Sequence, residues 1–293
     1  MIEVLRQGPL TTVQDLGRPG YAHLGVPPSG AADAWSLRLA NRLVGNPEGA
    51  AGLEMTLGGL AARFRDPAWI ALTGAPAEVH ADRRPVDMDA PVRVGPGEVV
   101  TIGAPSRGVR TYLAVRGGID VPPVLDSRST DLLSGLGPRP LEPGAGLAVG
   151  PAAGLASIGV DLAPPREIPE DPVLRVVPGP RADWLAEDAL TTLTGTTYTV
   201  STASNRVGLR LDGPHVESDR AEQLPSEGLV TGALQVPPSG QPILFLTDHP
   251  TTGGYPVLAV VVRADLGAAG QLRPGTRVRF SLHAQGGRSV RSS

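Results

Sequence analysis

Glycine or proline interrupts this chain so often that long regular elements are excluded from most of it: 38 Gly and 31 Pro stand among 293 residues. They lie between short apolar runs without a period, which argues against both collagen and low-complexity disorder. Aromatics make up only 3% of the chain, so the core is built from Val, Leu, Ile and Ala. The pattern predicts many short strands joined by tight turns, with a few short helices. The length accommodates two domains.

Charge and residue usage exclude several functions. The net charge is −3, so there is no basic footprint for nucleic acid. All 26 basic residues are arginine. Without lysine there is no Walker-type phosphate loop, no Schiff base and no biotinyl-lysine on this chain. The absence of cysteine removes thiolate nucleophiles and cysteine–zinc sites. The five histidines, His23, His80, His215, His249 and His283, show no metal spacing, and neither GxSxG nor HExxH occurs. The opening MIEVLRQG lacks the apolar stretch of a signal peptide, and no run approaches a membrane span. The cytoplasm is the expected compartment.

The stretch Gly8–Asn46 concentrates polar side chains within a constrained backbone. Ile2–Leu5 reads as a strand leading into it and Ala31–Val44 as a helix, with Ser29 or Gly30 at its start and Asn46-Pro47 stopping it. Strands are then predicted at Leu60–Phe64, Trp69–Thr73, Ala77–Ala81, Val92–Val94, Val99–Ile102, Thr111–Val115 and Leu147–Val149. Pro151–Pro172 has the composition of a linker, which sets the predicted domains at 1–160 and 161–293. The second half offers a strand at Val173–Val177, a short helix at Trp184–Ala189, and strands at Tyr198–Val200, Leu209–Leu211, Leu234–Val236, Ile243–Leu246, Val257–Val262 and Arg277–Phe280. The polar tail from Gly286 is expected to fray. Pro-Gly turns at Pro96, Pro143 and Pro274, and VPPSG at both Val26–Gly30 and Val236–Gly240, echo between the halves.

Two constellations carry the polar chemistry. In the first, Arg18 can clamp a carboxylate or phosphate through its planar fork beside Gln14, Asp15 and Tyr21; the alternative is an Asp15–Arg18 pair that holds a loop shut. Ser29-Gly30 and Asp33 can seat an anion at a helix N-terminus, or Ser29 can simply cap the helix. The second spans Ser226–Pro256. Here Thr251-Thr252-Gly253-Gly254-Tyr255 is either an anion cradle or a hairpin turn between Ile243–Leu246 and Val257–Val262. Gln235 and Asp248 are polar at strand ends beside it. Glu54, Arg128 in Ser127–Thr130, and Arg206 in Ser204–Arg206 are further candidates.

Six motifs in order, GPLTTVQDLGRPGY, GVPPSGAAD with ANRLVGN, YLAVRGGIDVPPVLDSRST, VVPGPRADW, SEGLVTGALQVPPSGQPI and TTGGYP, resemble the allophanate hydrolase subunit 2, or biotin-dependent carboxyltransferase (KipA-like), family. The resemblance implies two cyclophilin-like β-barrel subdomains. It implies a partner of the allophanate hydrolase subunit 1 (KipI-like) type and, in the 5-oxoprolinase members, a LamB/YcsF-like subunit. The implied reaction is ATP-dependent opening of a lactam, 5-oxoproline, to glutamate, with ATP shared among subunits. Phosphorylation of the lactam oxygen would make the amide carbon electrophilic before water attacks. On the motif positions Asp15, Arg18, Gln235 and Asp248 are the catalytic candidates. Gln14, Tyr21, Ser29, Gly30, Asp33, Glu54, Arg128, Arg206, Ser239, Thr251, Thr252, Gly253, Gly254 and Tyr255 are the substrate- or anion-binding candidates. The chain departs from the family at Asn205 and Val207, where Asp and Met are usual, and at His249-Pro250 before TTGGY. Two other functions fit the same family. One is a urea-carboxylase-type carboxyltransferase using carboxybiotin carried on another chain; the other is a non-enzymatic antagonist of an anti-kinase.

Overall fold

The computed structural model describes residues 1–217 and 224–284; the tail predicted to fray from Gly286 lies outside them. The first half carries β1 (Ile2–Gln7), β2 (Leu10–Gln14), α1 (Ala34–Leu43), β3 (Gly52–Thr56), β4 (Leu60–Phe64), β5 (Ala68–Gly74), β6 (Val79–Ala81), β7 (Arg84–Pro85), β8 (Pro91–Val94), β9 (Val99–Ile102), β10 (Arg110–Val115), β11 (Ile119–Asp120) and β12 (Gly146–Val149). They form a seven-stranded sheet, β11-β12-β1-β4-β9-β6-β7, and a five-stranded sheet, β2-β3-β10-β5-β8. One core joins them, with Val4, Phe64 and Val100 from the first sheet and Leu53, Met55, Leu72 and Leu113 from the second. Side chains alternate across a strand. Leu53 and Met55 therefore face this core, while Glu54 between them faces the other way.

That second face of the five-stranded sheet is covered rather than solvated. Leu39, Ala40 and Leu43 of α1 pack on Ala71 and Ala114, and Leu37 packs against Tyr112. The ANRLVGN motif has a structural task here. Asn41 Nδ2 donates to the carbonyls of Glu48 and Ala50, and Asn46 Nδ2 donates to Asn41 Oδ1 and the Val115 carbonyl, tying the helix end to the sheet.

From Gly150 to Pro172 the chain carries no strand or helix, yet it is fastened down. Ala163 donates its N–H to the Asp89 carbonyl at 2.7 Å, and the Arg166 guanidinium lies 5.1 Å over the Trp35 ring. The second half comprises β13 (Val173–Pro178), α2 (Ala189–Gly195), β14 (Thr197–Val200), β15 (Gly208–Asp212), β16 (Glu227–Gly228), β17 (Ala233–Gln235), β18 (Ile243–Phe245), β19 (Thr252–Gly253), β20 (Val257–Val261), α3 (Leu266–Ala269) and β21 (Arg277–Leu282). Seven of these strands close a barrel in the order β13-β20-β17-β18-β15-β14-β21, and β16 pairs with β19 outside it. Leu174, Tyr198, Leu211, Leu244, Leu258 and Phe280 fill its core. The molecule is mainly β, as the punctuation predicts. Among the described residues, no helix is long and apolar enough to cross a membrane.

Several local expectations are corrected. The first helix begins at Ala34, three residues later than predicted, because Asp33 caps it by accepting the Ser36 N–H. Ser29 is not the cap; it sits at φ 51° upstream of the helix. The helix predicted at Trp184–Ala189 is instead a single 3-10 turn at Ala182–Trp184 followed by α2 from Ala189. The Thr251–Tyr255 loop is not a hairpin turn, since β17 lies between β18 and β20 and pairs with both. The three Pro-Gly turns share one geometry, with Gly97, Gly144 and Gly275 at φ 85°, 86° and 86°. That is the left-handed position at which a type II turn requires glycine.

Candidate functional site

The outer face of β3 and β10 meets the closed barrel, and the polar candidates gather there. Tyr112 and Glu54 are direct cross-strand partners, and Arg110 lies two residues along the same face. Glu54 is saturated. Oε1 accepts Arg110 Nε at 3.2 Å and a short bond from an Arg206 guanidinium nitrogen; Oε2 accepts Tyr112 OH at 2.8 Å and the Ala32 N–H at 3.0 Å. Arg206, from the barrel half, also donates to both oxygens of Asp248 at 2.9 and 3.0 Å and to the Gly30 carbonyl at 2.6 Å. Asp248 completes its set with the Ser29 hydroxyl at 2.9 Å and the Leu132 N–H at 3.2 Å. Glu54, Arg206 and Asp248 are at most 2% exposed, and Arg110 is 4% exposed.

The electrostatics follow from that burial. Desolvation alone would raise the Glu54 carboxyl, but the guanidinium charges of Arg206 and Arg110 outweigh it and hold it below its ordinary value. Desolvation would likewise favour a neutral Arg206, and the charges of Glu54 and Asp248 reverse that and raise it. The Tyr112 hydroxyl is driven well up, first by burial and then by the charges of Glu54 and Asp33, so it remains a proton donor. His249 is lowered, chiefly by burial. Glu54 and Arg206 are therefore charged at neutral pH, with a neutral imidazole nearby.

A second cluster adjoins it under the first glycine-rich stretch. Asp15 accepts the Gly17 N–H (2.8 Å), the Ser127 hydroxyl (2.7 Å), the Ser129 hydroxyl (2.5 Å) and the Arg128 N–H (2.6 Å). Arg18 is 1% exposed. Its carboxylate neighbour is Asp131 at 4.0 Å, not Asp15, and its other bonds reach the carbonyls of Val124 and Ser129. Gln14 donates to Thr12 Oγ1 and to the Thr130 carbonyl. Three buried polar atoms in this neighbourhood make no hydrogen bond: Gln14 Oε1, Arg18 Nη1 and Thr130 Oγ1. An unpaired buried group costs roughly 1–3 kcal/mol. A polar molecule accepted among them would recover that cost.

The remaining candidates are more dispersed. Asp33 serves the helix cap and receives Arg166 at 3.1 Å and Gln271 at 3.0 Å. Tyr21 points outward to Asp126 at 2.7 Å. Arg128 donates to the Val121 carbonyl and meets Asp120 at the surface. Gln235 is buried and donates to the Tyr255 carbonyl at 2.8 Å. Gly253 approaches Gln235 so closely that an added Cβ would lie 2.7 Å from its amide nitrogen. Thr252 and Tyr255 are exposed, Thr251 and Gly254 half-buried. Ser239, in the exposed turn after Gln235, leaves the barrel at the end opposite Asp248, as the β17–β18 register requires. Among the described residues no hydrogen bond joins Gln14, Asp15 or Arg18 to Gln235, Ser239, Thr251, Thr252 or Tyr255. The halves meet instead through Arg206, through Gln271 and through Ser29, which also donates its N–H to the Thr247 carbonyl at 3.0 Å.

Comparison with known proteins places this architecture. The profile of the carboxyltransferase domain, subdomains A and B, matches residues 24–282. The chain belongs to that family. This carboxyltransferase-family chain is 38% identical to a 5-oxoprolinase subunit of Escherichia coli (strain K12), over 96% of its own length and 90% of the relative's. It is 35% identical to urea amidolyase of Lachancea kluyveri, over 95% of its own length but only 17% of that protein's. The crystal structure of TTHA0988 superposes with a TM-score of 0.87 at 35% identity, covering 96% of this chain and 55% of that one. The chain thus spans about half of that solved structure.

Sequence reasoning did not single out Arg110, Tyr112, Asp131 or Gln271. Arg110 and Tyr112 lie on a strand whose two faces are both buried, which hides the usual alternation. For Glu54 the signal was present: a lone acid between Leu53 and Met55 of a strand.

Proposed function

We propose that this chain is the carboxyltransferase-family subunit of an ATP-dependent 5-oxoprolinase. The assembly would convert 5-oxoproline, ATP and water to glutamate, ADP and phosphate. The observation that carries the reading is reciprocal coverage: the chain and the 5-oxoprolinase subunit of E. coli match over 96% and 90% of their lengths. The match to urea amidolyase instead occupies a small fraction of a much longer protein.

In this reading Gln14 Oε1, Arg18 Nη1 and Thr130 Oγ1, none of which makes a hydrogen bond although Arg18 Nη1 lies 4.0 Å from Asp131, supply an acceptor, a cationic donor and a hydroxyl, matching the N–H, carbonyl and carboxylate of a lactam acid. Asp15, Asp248, Glu54 and Arg206 are positioning residues, because their hydrogen-bonding capacity is filled by protein groups. Gln235 holds the Tyr255 backbone and so orients Thr251–Tyr255 as the outer wall.

ATP fits this chain poorly on its own. There is no lysine, Gly253 is paired in strand with Glu227, and Arg206 is consumed by two carboxylates. We therefore assign the main phosphate contacts to KipI-like and LamB/YcsF-like partner chains, and route no step through ATP here. Reconstitution tests the reading: with those partners, 5-oxoproline and ATP should give glutamate only when this chain is present. Turnover that survives its omission would overturn the assignment. Urea-dependent ATP consumption with a biotinylated carrier would move the chain to the urea-carboxylase type.

A further inference from the structure

A cleft of about 520 Å³ opens where the strandless crossover at 150–172, the 106–108 loop and the 271–276 turn meet, on residues that neither constellation includes. Its charged lining is mixed. Arg107, Arg166 and Arg273 contribute three guanidinium groups, Glu167 and Glu170 two carboxylates, and Gln271 is a buried polar residue of the lining. Arg107 is exposed and makes no hydrogen bond or ion pair with another described residue. Arg273 commits Nε to the Gly108 carbonyl and one terminal nitrogen to the Pro105 carbonyl, leaving its other terminal nitrogen unengaged. Glu167 and Glu170 are exposed and pair with no described cation. The volume lies within the range of small-molecule sites, and Ile168 and Leu272 add apolar lining.

We propose that this cleft binds an acidic α-amino acid. Three guanidinium groups, of which Arg166 is already paired with Asp33, set beside two carboxylates suit a ligand that carries both carboxylates and an ammonium group. A simple anion would meet the two glutamates uncompensated, and a simple amine would meet the three arginines. Charge-assisted, fork-shaped contacts from Arg107 suit a carboxylate, while Glu167 and Glu170 suit the ammonium. The class is argued from the cleft alone. That the natural ligand is glutamate, the product of the proposed reaction, rests on the reading above.

The cleft is also wired to the buried network. Gln271 Oε1 accepts the N–H groups of Val109 and Arg110, its amide nitrogen donates to Asp33, and Arg166 donates to the same carboxylate. The Asp33 N–H donates to Tyr112 OH, which donates to Glu54. Occupation of the cleft that draws Arg166 away from Asp33 therefore acts on the first link of a chain ending at Asp248 and Ser29.

Calorimetric titration of the full chain, without ATP or partners, tests the proposal. L-Glutamate should bind saturably, about tenfold tighter than glutarate, which lacks the ammonium, and tighter than inorganic phosphate. Arg107→Ala, which removes no hydrogen bond or ion pair to another described residue, should weaken glutamate about tenfold, while Arg83→Ala, at an exposed turn outside the cleft, should leave it unchanged. The double variant Glu167→Gln/Glu170→Gln should erase the preference for glutamate over glutarate. No saturable binding below about 10 mM, or binding indifferent to Arg107→Ala, overturns the site. Equal affinity for phosphate reduces it to an anion site and overturns the class. Since no turnover is measured, failure of the 5-oxoprolinase reading leaves this result standing.

Discussion

Ser29 Oγ donates to Asp248 Oδ1 at 2.9 Å across 219 positions of sequence, and this bond joins the two β-rich halves at their polar junction. Ser29 holds a left-handed backbone at φ 51° to reach it. Removing the hydroxyl takes one of four donors from a fully buried carboxylate. Ser29→Ala is expected to lower stability by about 1–2 kcal/mol. Ser29→Gly should lose the same bond but regain about 1 kcal/mol of backbone strain, so the two variants separate the contributions. Urea titrations with unchanged slope check both; equal stability of Ser29→Ala and the parent protein would show the bond to be worthless.

Arg206 is the single cation between two buried acids. Arg206→Met leaves Glu54 with Arg110 alone and Asp248 with neutral donors, and breaking a buried ion pair from one side costs about 3–5 kcal/mol. Adding Asp248→Asn to Arg206→Met should recover part of that loss, because it removes the stranded charge. A loss under about 1 kcal/mol for Arg206→Met in denaturant titration would contradict the network's stabilising role.

Much of this architecture is legible from residue order. Leu60–Phe64 and Val99–Ile102 coincide with β4 and β9 because each is a short apolar run bounded by turn residues. β2 is harder to see, since Leu10–Gln14 lies inside a glycine-rich stretch where polar side chains dominate the reading. The helix start was displaced because Asp33, not Ser29, has the geometry to accept the Ser36 N–H. The site is less legible than the fold for a general reason. Its bonds join Ser29 to Asp248 and Arg206 to Glu54, and closure of two separate β units sets those distances. Ser127–Thr130 stood out for the arginine at its centre, yet it is the flanking serine hydroxyls that bind Asp15, while Arg128 turns to the surface.

Asp89 offers a pH test at the crossover. Burial pushes its carboxyl up to about 6, and its carbonyl holds Ala163 of the crossover. A raised folded-state pKa means the native state binds the extra proton. The contribution of Asp89 is therefore fully present below its unfolded value near 4 and is lost as pH rises through about 6. The stability of the parent protein relative to Asp89→Asn should fall across that window and stay flat above pH 7. A difference that is constant from pH 4 to 7, measured by thermal unfolding at fixed ionic strength, would refute the shift.

Thr130 separates a structural from a functional reading of the unpaired atoms. Its hydroxyl is buried without a partner, and valine keeps the shape while deleting the group. If the hydroxyl serves nothing, Thr130→Val stabilises the chain by about 1 kcal/mol and leaves the reconstituted enzyme unchanged. If it receives the substrate, the same substitution still stabilises the isolated chain but raises KM for 5-oxoproline about tenfold. The second outcome is expected, because Gln14 Oε1 and Arg18 Nη1, which also make no hydrogen bond, are chemically complementary to a lactam acid, and all three residues lie in the motifs on which the family resemblance rests. Unfolding and steady-state kinetics on one variant give both readouts. Destabilisation with unaltered KM would assign Thr130 to packing and leave the substrate to the Thr251–Tyr255 wall.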